Sequence, residues 1–214
     1  MSLMEIEHRP TSRVERKRLE ARSRILSAAE QLMRAKGFDA VKIQEITDAA
    51  DVGHGTFYTH FKTKMDVLVP ILRTKAHGLT ERLDNLTRDM KDPAEVVSVS
   101  VRHLLTAIAN DPLWSWFLFK SDLPMEQIRE ATGESAKRDI QMGVDTGRFI
   151  DHDGGTLEPF LLGALAGVIR DKFEEGLNQK TIENSAHILL LILGVQNDEA
   201  LTLSRTQLPP LVEN

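Results

Sequence analysis

The sequence predicts an all-α protein, with a small three-helix head at the N-terminus and a larger helical body behind it. Three observations carry this. Strand signals are nearly absent, because nothing alternates cleanly over four to eight residues between turn signals. Apolar residues recur instead at helical spacing along most of the chain. Charge is also divided: residues 1–64 carry 12 Lys and Arg against 9 Asp and Glu, while residues 65–214 carry 15 against 23, within a net charge of −5. Such asymmetry points to different partners for the two parts. The division is expected at 1–66 and 67–214.

Ile25, Ala28, Ala29, Leu32 and Met33 follow the i, i+3, i+4, i+7, i+8 pattern and Gly37 marks a stop, which predicts a first helix over 18–36. Ile43, Ile46, Ala49 and Ala50 mark a short second helix over 43–50, interrupted by Asp51-Val52-Gly53. A third covers 54–60, with Phe57 and Phe61 inward. A long helix over 64–90 follows, in which Pro70 and Gly78 invite a bend. Asp92-Pro93 opens the next, to about 110. "LWSWFLF" at 113–119 is apolar nearly all round and should be buried. Further helices are expected over 124–146, 157–176 and 180–195, with "DHDGG" at 151–155 as a loop and a partly ordered tail at the end.

The second and third helices, joined by a tight turn, form a helix-turn-helix unit. Its inner set is Ile43, Ile46, Ala50, Val52, Phe57 and Phe61; what points outward is His54, Thr56, Tyr58, Thr59 and His60. Those are short hydrogen-bonding groups, suited to phosphates and base edges in a major groove. Gly53 and Gly55 let the start of the third helix approach a phosphate closely. Lys42 and Gln44 at the start of the second helix, and Lys64 beyond the third, complete the candidate DNA-binding set with Gly55. Residues 9–24 carry seven bases against two acids, either a solvated basic arm or a further contact to phosphate.

Residues 25–68 resemble the DNA-binding domain of the TetR family of transcriptional regulators. The match runs through Ile25-Leu26, Ala28-Ala29, Gly37-Phe38, Ile43 and Ile46. It is densest over Gly55-Thr56-Phe57-Tyr58-x-His60-Phe61-x-x-Lys64, followed by Leu68. In the family the positions of Thr56, Tyr58, His60 and Lys64 support phosphate contact or hold the helix. Four positions depart from the pattern: His54 replaces the usual Lys or Arg, Lys42 replaces Thr or Ser, Asp51 replaces the turn Gly and Gly53 replaces a Ser cap. Asp tolerates the left-handed turn better than most residues.

The resemblance implies a homodimeric repressor of a palindromic double-stranded operator, relieved by a small-molecule effector bound in the larger domain; the polar, basic N-terminus and the lack of a membrane-length apolar run point to a cytoplasmic protein. For that ligand site the candidates are His103, Trp114, Trp116, Phe117 and Gln141, with Asp122 and Gln127 as further polar groups; simple core filling is the competing reading of the aromatics. A medium-sized, largely apolar effector is expected. The resemblance also implies a two-fold, four-helix interface. Its candidates are Phe160, Leu161, Ala164, Leu165 and Val168, with Ile188, Leu189, Leu191 and Ile192, although packing within one subunit competes.

The absence of cysteine excludes disulfides, thiolate catalysis and Cys-based zinc sites. His54 and His60 lack a third ligand with metal spacing, and "DHDGG" lacks the EF-hand pattern, so no metal or cofactor is expected. Gly53-x-Gly55 lacks a preceding strand and a later glycine, and no nucleophile motif occurs, so no enzyme is expected. The longest apolar run, 188–195, is shorter than the roughly 20 residues of a membrane span. Two alternatives stay open at this point: a ligand-blind DNA-binding or architectural protein, and a small-molecule carrier or enzyme with an incidental helical head.

Overall fold

A computed structural model describes residues 12–120, 124–151, 155–172 and 175–212. All regular structure among them is helical: α1 Arg13–Lys36, α2 Ile43–Ala49, α3 His54–His60, α4 Lys64–Thr87, α5 Pro93–Asn110, α6 Pro112–Lys120, α7 Pro124–Asp145, α8 Leu157–Asp171, α9 Gln179–Ile192 and α10 Asn197–Arg205. None of the described helices is long and apolar enough to cross a membrane. The chain divides into two compact units at Ile71/Leu72, inside α4, five residues beyond the boundary expected from the sequence. The "DHDGG" loop lies largely outside the described residues.

In the N-terminal unit, α1 begins five residues earlier than expected. Ser12 caps it by accepting the Glu15 N–H at 3.1 Å. The basic stretch from Arg13 onward is therefore helix, not arm. Gly37, at φ 82°, ends it where only glycine is comfortable. The core is Ile25, Ala29, Met33, Val41, Ile46 and Phe57, all at most 1% exposed. These are the stripes that helical spacing picks out, closed on one another.

The C-terminal unit is built around α5, which touches α6, α7, α9 and α10. Asp92 caps α5 by accepting the Ala94 N–H at 3.0 Å, and Pro93 occupies the first turn, where its missing N–H costs nothing. "LWSWFLF" forms the short helix α6; Leu113, Trp114, Phe117 and Leu118 are buried. Helix α10 replaces the expected tail. Its sequence offers too few apolar positions to signal a helix, but Ala200 and Ser204 are fully buried and α5 reaches across to it, Ser98 Oγ donating to the Leu203 carbonyl at 2.9 Å.

A knot of contacts at 148–150 ties four helix ends together. Arg148 pairs in fork geometry with Asp92 at the start of α5 (Nε–Oδ1 2.8 Å, Nη2–Oδ2 3.1 Å) and reaches Glu199 on α10 at 2.7 Å. Phe149 lies against Gly143 of α7, and Ile150 against Gly194 beyond α9. Asp92→Ala removes a cap and a charge-assisted pair together, and is expected to cost about 2 kcal/mol in chemical denaturation at neutral pH. The Arg148 guanidinium, and then the Ala94 N–H, hold the Asp92 carboxyl below its usual range. Its stabilisation is thus complete above the unfolded carboxylate value of about 3.9 and is lost as pH falls through the lower folded value. The difference between wild type and Asp92→Ala should shrink only in that acid window.

Candidate functional site: a nucleic-acid interface and an apolar cavity

The head owes its geometry to the α2–α3 turn. Glu45 reaches back to accept the Lys42 N–H at 2.9 Å, fixing the start of α2. Lys36 also pairs with Glu45, and these two contacts hold its carboxyl below the usual range. At the other end Asp51 takes the left-handed conformation, φ 51°. The N–H groups of Val52 and Asp51 then donate to the carbonyls of Thr47 and Asp48 at 3.1 and 3.2 Å, a Schellman closure without glycine. Arg24 steadies it from α1, donating to the Asp51 carbonyl at 3.2 Å.

Helix α3 leaves this turn with Phe57 fully buried and Phe61 4% exposed, their rings 5.9 Å apart. That anchoring sends His54, Gly55, Tyr58 and Thr59 to solvent, with Thr56 and His60 half-buried. Tyr58 is 50% exposed, its ring held edge-on between Phe57 at 5.4 Å and His54 at 5.2 Å. The Thr59 hydroxyl donates to the Gly55 carbonyl at 3.0 Å. On α2, Lys42 and Gln44 are exposed, and the Gln44 amide donates to Asp48 at 2.7 Å. Burial, then the nearby Arg18 and Arg22, push the His60 imidazole below its usual value. Arg22 lies 5.3 Å from the centre of the Phe61 ring. Both arginines, one turn apart on α1, therefore sit beside the end of α3, a placement that the sequence's basic run did not resolve into individual residues.

Lys64 leaves the set of outward-facing contacts. Its ammonium donates to the carbonyls of Phe38, Asp39 and Val41 at 2.8, 3.3 and 2.7 Å and lies 4.7 Å from the Phe38 ring centre. Three acceptors use all three protons, so this lysine clamps the α1–α2 connection. Lys64→Met should lower the stability of the head by about 2 kcal/mol. It should leave the salt dependence of duplex binding unchanged, whereas loss of a phosphate contact would reduce the slope of log K against log salt by about one.

The C-terminal unit holds a partly open cavity of about 100 Å³. Leu79 and Leu83 of α4, Val97 and Leu104 of α5, and leucines of α8 and α9 make it chiefly apolar; Thr80, Ser100, Ser135, Asp84 and Asp139 are its polar lining. Arg138 bridges the two carboxylates, donating to Asp84 Oδ1 at 2.9 Å and to Asp139 Oδ1 at 2.9 and 3.0 Å. Desolvation raises the Asp139 carboxyl above its usual value, against the opposing pull of Arg138. Neither aspartate was a sequence candidate. The available signal was Asp139 itself, set at helical spacing between Ala136 and Gly143 on the inward face of α7.

None of His103, Trp114, Trp116, Phe117 and Gln141 lines this cavity. Trp114 and Phe117 are packed into the core, and Trp116 is half-buried. His103 is buried with Nε2 3.0 Å from the Pro209 carbonyl, and Gln141 is exposed and donates to Asp145. Asp122 and the Gln127 side chain lie outside the described residues. The stripe expected at the dimer interface splits in two. Leu161, Leu165 and Leu189 are buried and line the cavity, so they turn inward. Phe160, Ala164, Ile188 and Leu191 are exposed, with Val168 and Ile192 half-buried. Around Phe160 and Ala164 the exposed face of α8 continues through Gly163 and Gly167.

Residues 25–70 match the family model of the bacterial regulatory proteins, tetR family, and residues 92–205 match that of the tetracyclin repressor-like C-terminal domain. The chain belongs to the TetR family. It carries the family's regulatory helix-turn-helix head and a tetracyclin repressor-like C-terminal domain. The HTH-type transcriptional repressor KstR of Rhodococcus jostii is 31% identical over 96 residues, 44% of this chain and 43% of KstR. The match thus spans less than half the length of that relative. The HTH-type transcriptional regulator CymR of Pseudomonas putida is 26% identical over 159 residues, 73% of this chain and 72% of CymR. Among solved structures, RolR in complex with resorcinol superposes with a TM-score of 0.84 at 29% identity, over 92% of this chain and 99% of RolR.

Proposed function

We propose that this TetR-family regulator is a homodimeric repressor of a palindromic operator, released by a small, largely apolar effector. The observation that carries the reading is the pairing, in one chain, of two features. One is a polar recognition face mounted on buried Phe57 and Phe61; the other is a partly open, chiefly apolar cavity. His54, Tyr58 and Thr59 read the duplex, Lys42 and Gln44 enter from α2, and Arg18 and Arg22 add phosphate contacts. The exposed face of Phe160, Ala164, Ile188 and Leu191, relieved by Gly163 and Gly167, pairs with the same face of a second copy. Two heads then meet half-sites about one helical turn apart.

The cavity's size favours an effector of one ring, since an engineered void of about 150 Å³ accepts benzene; that RolR is solved with resorcinol supports this scale. Helix α4 supplies Lys64 to the head and Leu79 and Leu83 to the cavity wall, so it is the element through which the effector acts on the operator.

The test is operator selection from random duplexes, followed by binding at several salt concentrations. We expect a palindromic site and at least tenfold weaker binding by Tyr58→Ala. Ile188→Asp places a charge in the proposed interface and should yield a folded monomer with little operator affinity. Indifference to every duplex at low ionic strength would overturn the reading.

A further inference from the structure

The proposal above leaves the chemistry of the effector open, and the polar lining of its cavity bears on that. Asp139 is 8% exposed, and both of its bonds from Arg138 fall on one oxygen, Oδ1. Among the described residues the other oxygen, Oδ2, has no hydrogen-bond donor, and Asp139 lines the cavity. A buried carboxylate oxygen without a donor is costly, and native structures rarely keep one without a use for it. Asp84 is occupied differently: its two oxygens already accept from Arg138 and, at 3.2 Å, from Ser135. The Arg138 guanidinium is thus shared between the two carboxylates, and the three groups together carry a net charge of −1. Asp139 Oδ2 is thus an acceptor held beside a cation, and the rest of the lining is chiefly apolar, with Thr80, Ser100 and Ser135 as further polar residues.

We infer that the effector is an uncharged, hydroxyl-bearing aromatic ring, recognised by donation of a hydroxyl proton to Asp139 Oδ2. This rests on the effector reading above and narrows it. A ring of that size fills the apolar volume, and its hydroxyl supplies the missing donor. An anionic ring, such as a benzoate, would bring a second negative charge beside Asp139 in a desolvated site and is rejected. A hydrocarbon ring of the same size leaves Oδ2 unsatisfied and binds weakly. A site built to bond a hydroxyl rejects the analogue lacking it far more strongly than an apolar pocket rejects a missing methylene. Arg138 acts as a positioning residue, because it fixes which oxygen of Asp139 is free.

The experiment is calorimetric titration of the full-length protein, in the absence of DNA, with phenol, resorcinol, benzene, benzoate and benzylamine. Phenol and resorcinol should bind at least tenfold more tightly than benzene, with benzoate undetectable. Asp139→Asn should weaken phenol at least tenfold while changing benzene by less than threefold. Ala136→Phe, which fills the cavity and keeps Asp139, should abolish binding of all five. Benzoate or benzylamine binding more tightly than phenol would overturn the inference, as would unchanged phenol affinity in Asp139→Asn. If Asp139→Asn does not fold, the wild-type ranking of the five probes still decides. Operator binding is measured on the same preparation without any probe. Loss of operator affinity there would sink the regulator reading, whereas intact operator binding with no response to phenol or resorcinol would sink only the ligand class.

Discussion

Phe57→Ala is expected to abolish operator binding and unfold the N-terminal unit while the C-terminal unit keeps its effector cavity. Phe57 is fully buried, at the centre of the head, between the rings of Tyr58 at 5.4 Å and Phe61 at 5.9 Å. Removing a buried phenylalanine ring costs about 3–5 kcal/mol, from lost transfer energy and the void left behind. A head of some 60 residues holds only a few kcal/mol in total, because a unit this small buries a modest share of its surface. The ring also orients Tyr58, so the recognition face is lost even where the fold is only weakened. Thermal melting should show a low-temperature transition displaced or absent and a second transition retained. Phe57→Leu, which keeps most of the volume, should lower operator affinity without removing the first transition. A single cooperative transition that shifts as a whole would show that the two units melt together and would refute the separation.

The sequence was most legible where periodicity and local chemistry agree. Phe57 and Phe61 recur one turn apart, so the inward face of α3 follows from spacing alone, and with it the outward set His54, Tyr58 and Thr59. The Asp51 turn was legible for the same reason, since a small polar side chain that tolerates positive φ stands between two apolar runs. For Lys64, spacing places a lysine near the groove but says nothing of the three carbonyls that capture it. The aromatics of α6 drew attention by composition, yet a helix apolar on every side has no preferred face to offer a ligand and is consumed by the core. On α8 and α9 the apolar positions run wider than one stripe. A wide stripe can serve two surfaces at once, here a cavity wall through Leu161 and Leu165 and an exposed face through Phe160 and Ala164. Composition alone does not divide it. Asp139 is not legible from sequence, because a charge in a mixed helix reads as solvated until the neighbouring positions are known to face inward.

Gly143→Ala should destabilise the C-terminal unit by about 3 kcal/mol, reversing the usual benefit of that change. In a helix interior, glycine to alanine ordinarily gains close to 1 kcal/mol. Here a β-carbon would stand 1.9 Å from Cδ2, 2.2 Å from Cε2 and 2.7 Å from Cγ of Phe149. The ring is 5% exposed, so it has no solvent to swing into, and overpacking of this kind costs 1–3 kcal/mol or more on top of the lost propensity gain. The backbone cannot yield easily either. The Gly143 carbonyl accepts from the N–H groups of Arg148 and Phe149 at 2.8 and 2.9 Å, and Gly147 at φ 70° closes the end of α7. Moving this end also disturbs Arg148 and its bonds to Asp92 and Glu199. Asp139 lies one turn back on the same helix face, so the strain should reach the cavity and weaken phenol binding as well. A double-mutant cycle separates clash from propensity. In a Phe149→Ala background the added methyl meets open space, and Gly143→Ala should then be neutral or stabilising. Equal destabilisation in both backgrounds would place the cost elsewhere than the glycine–phenylalanine contact.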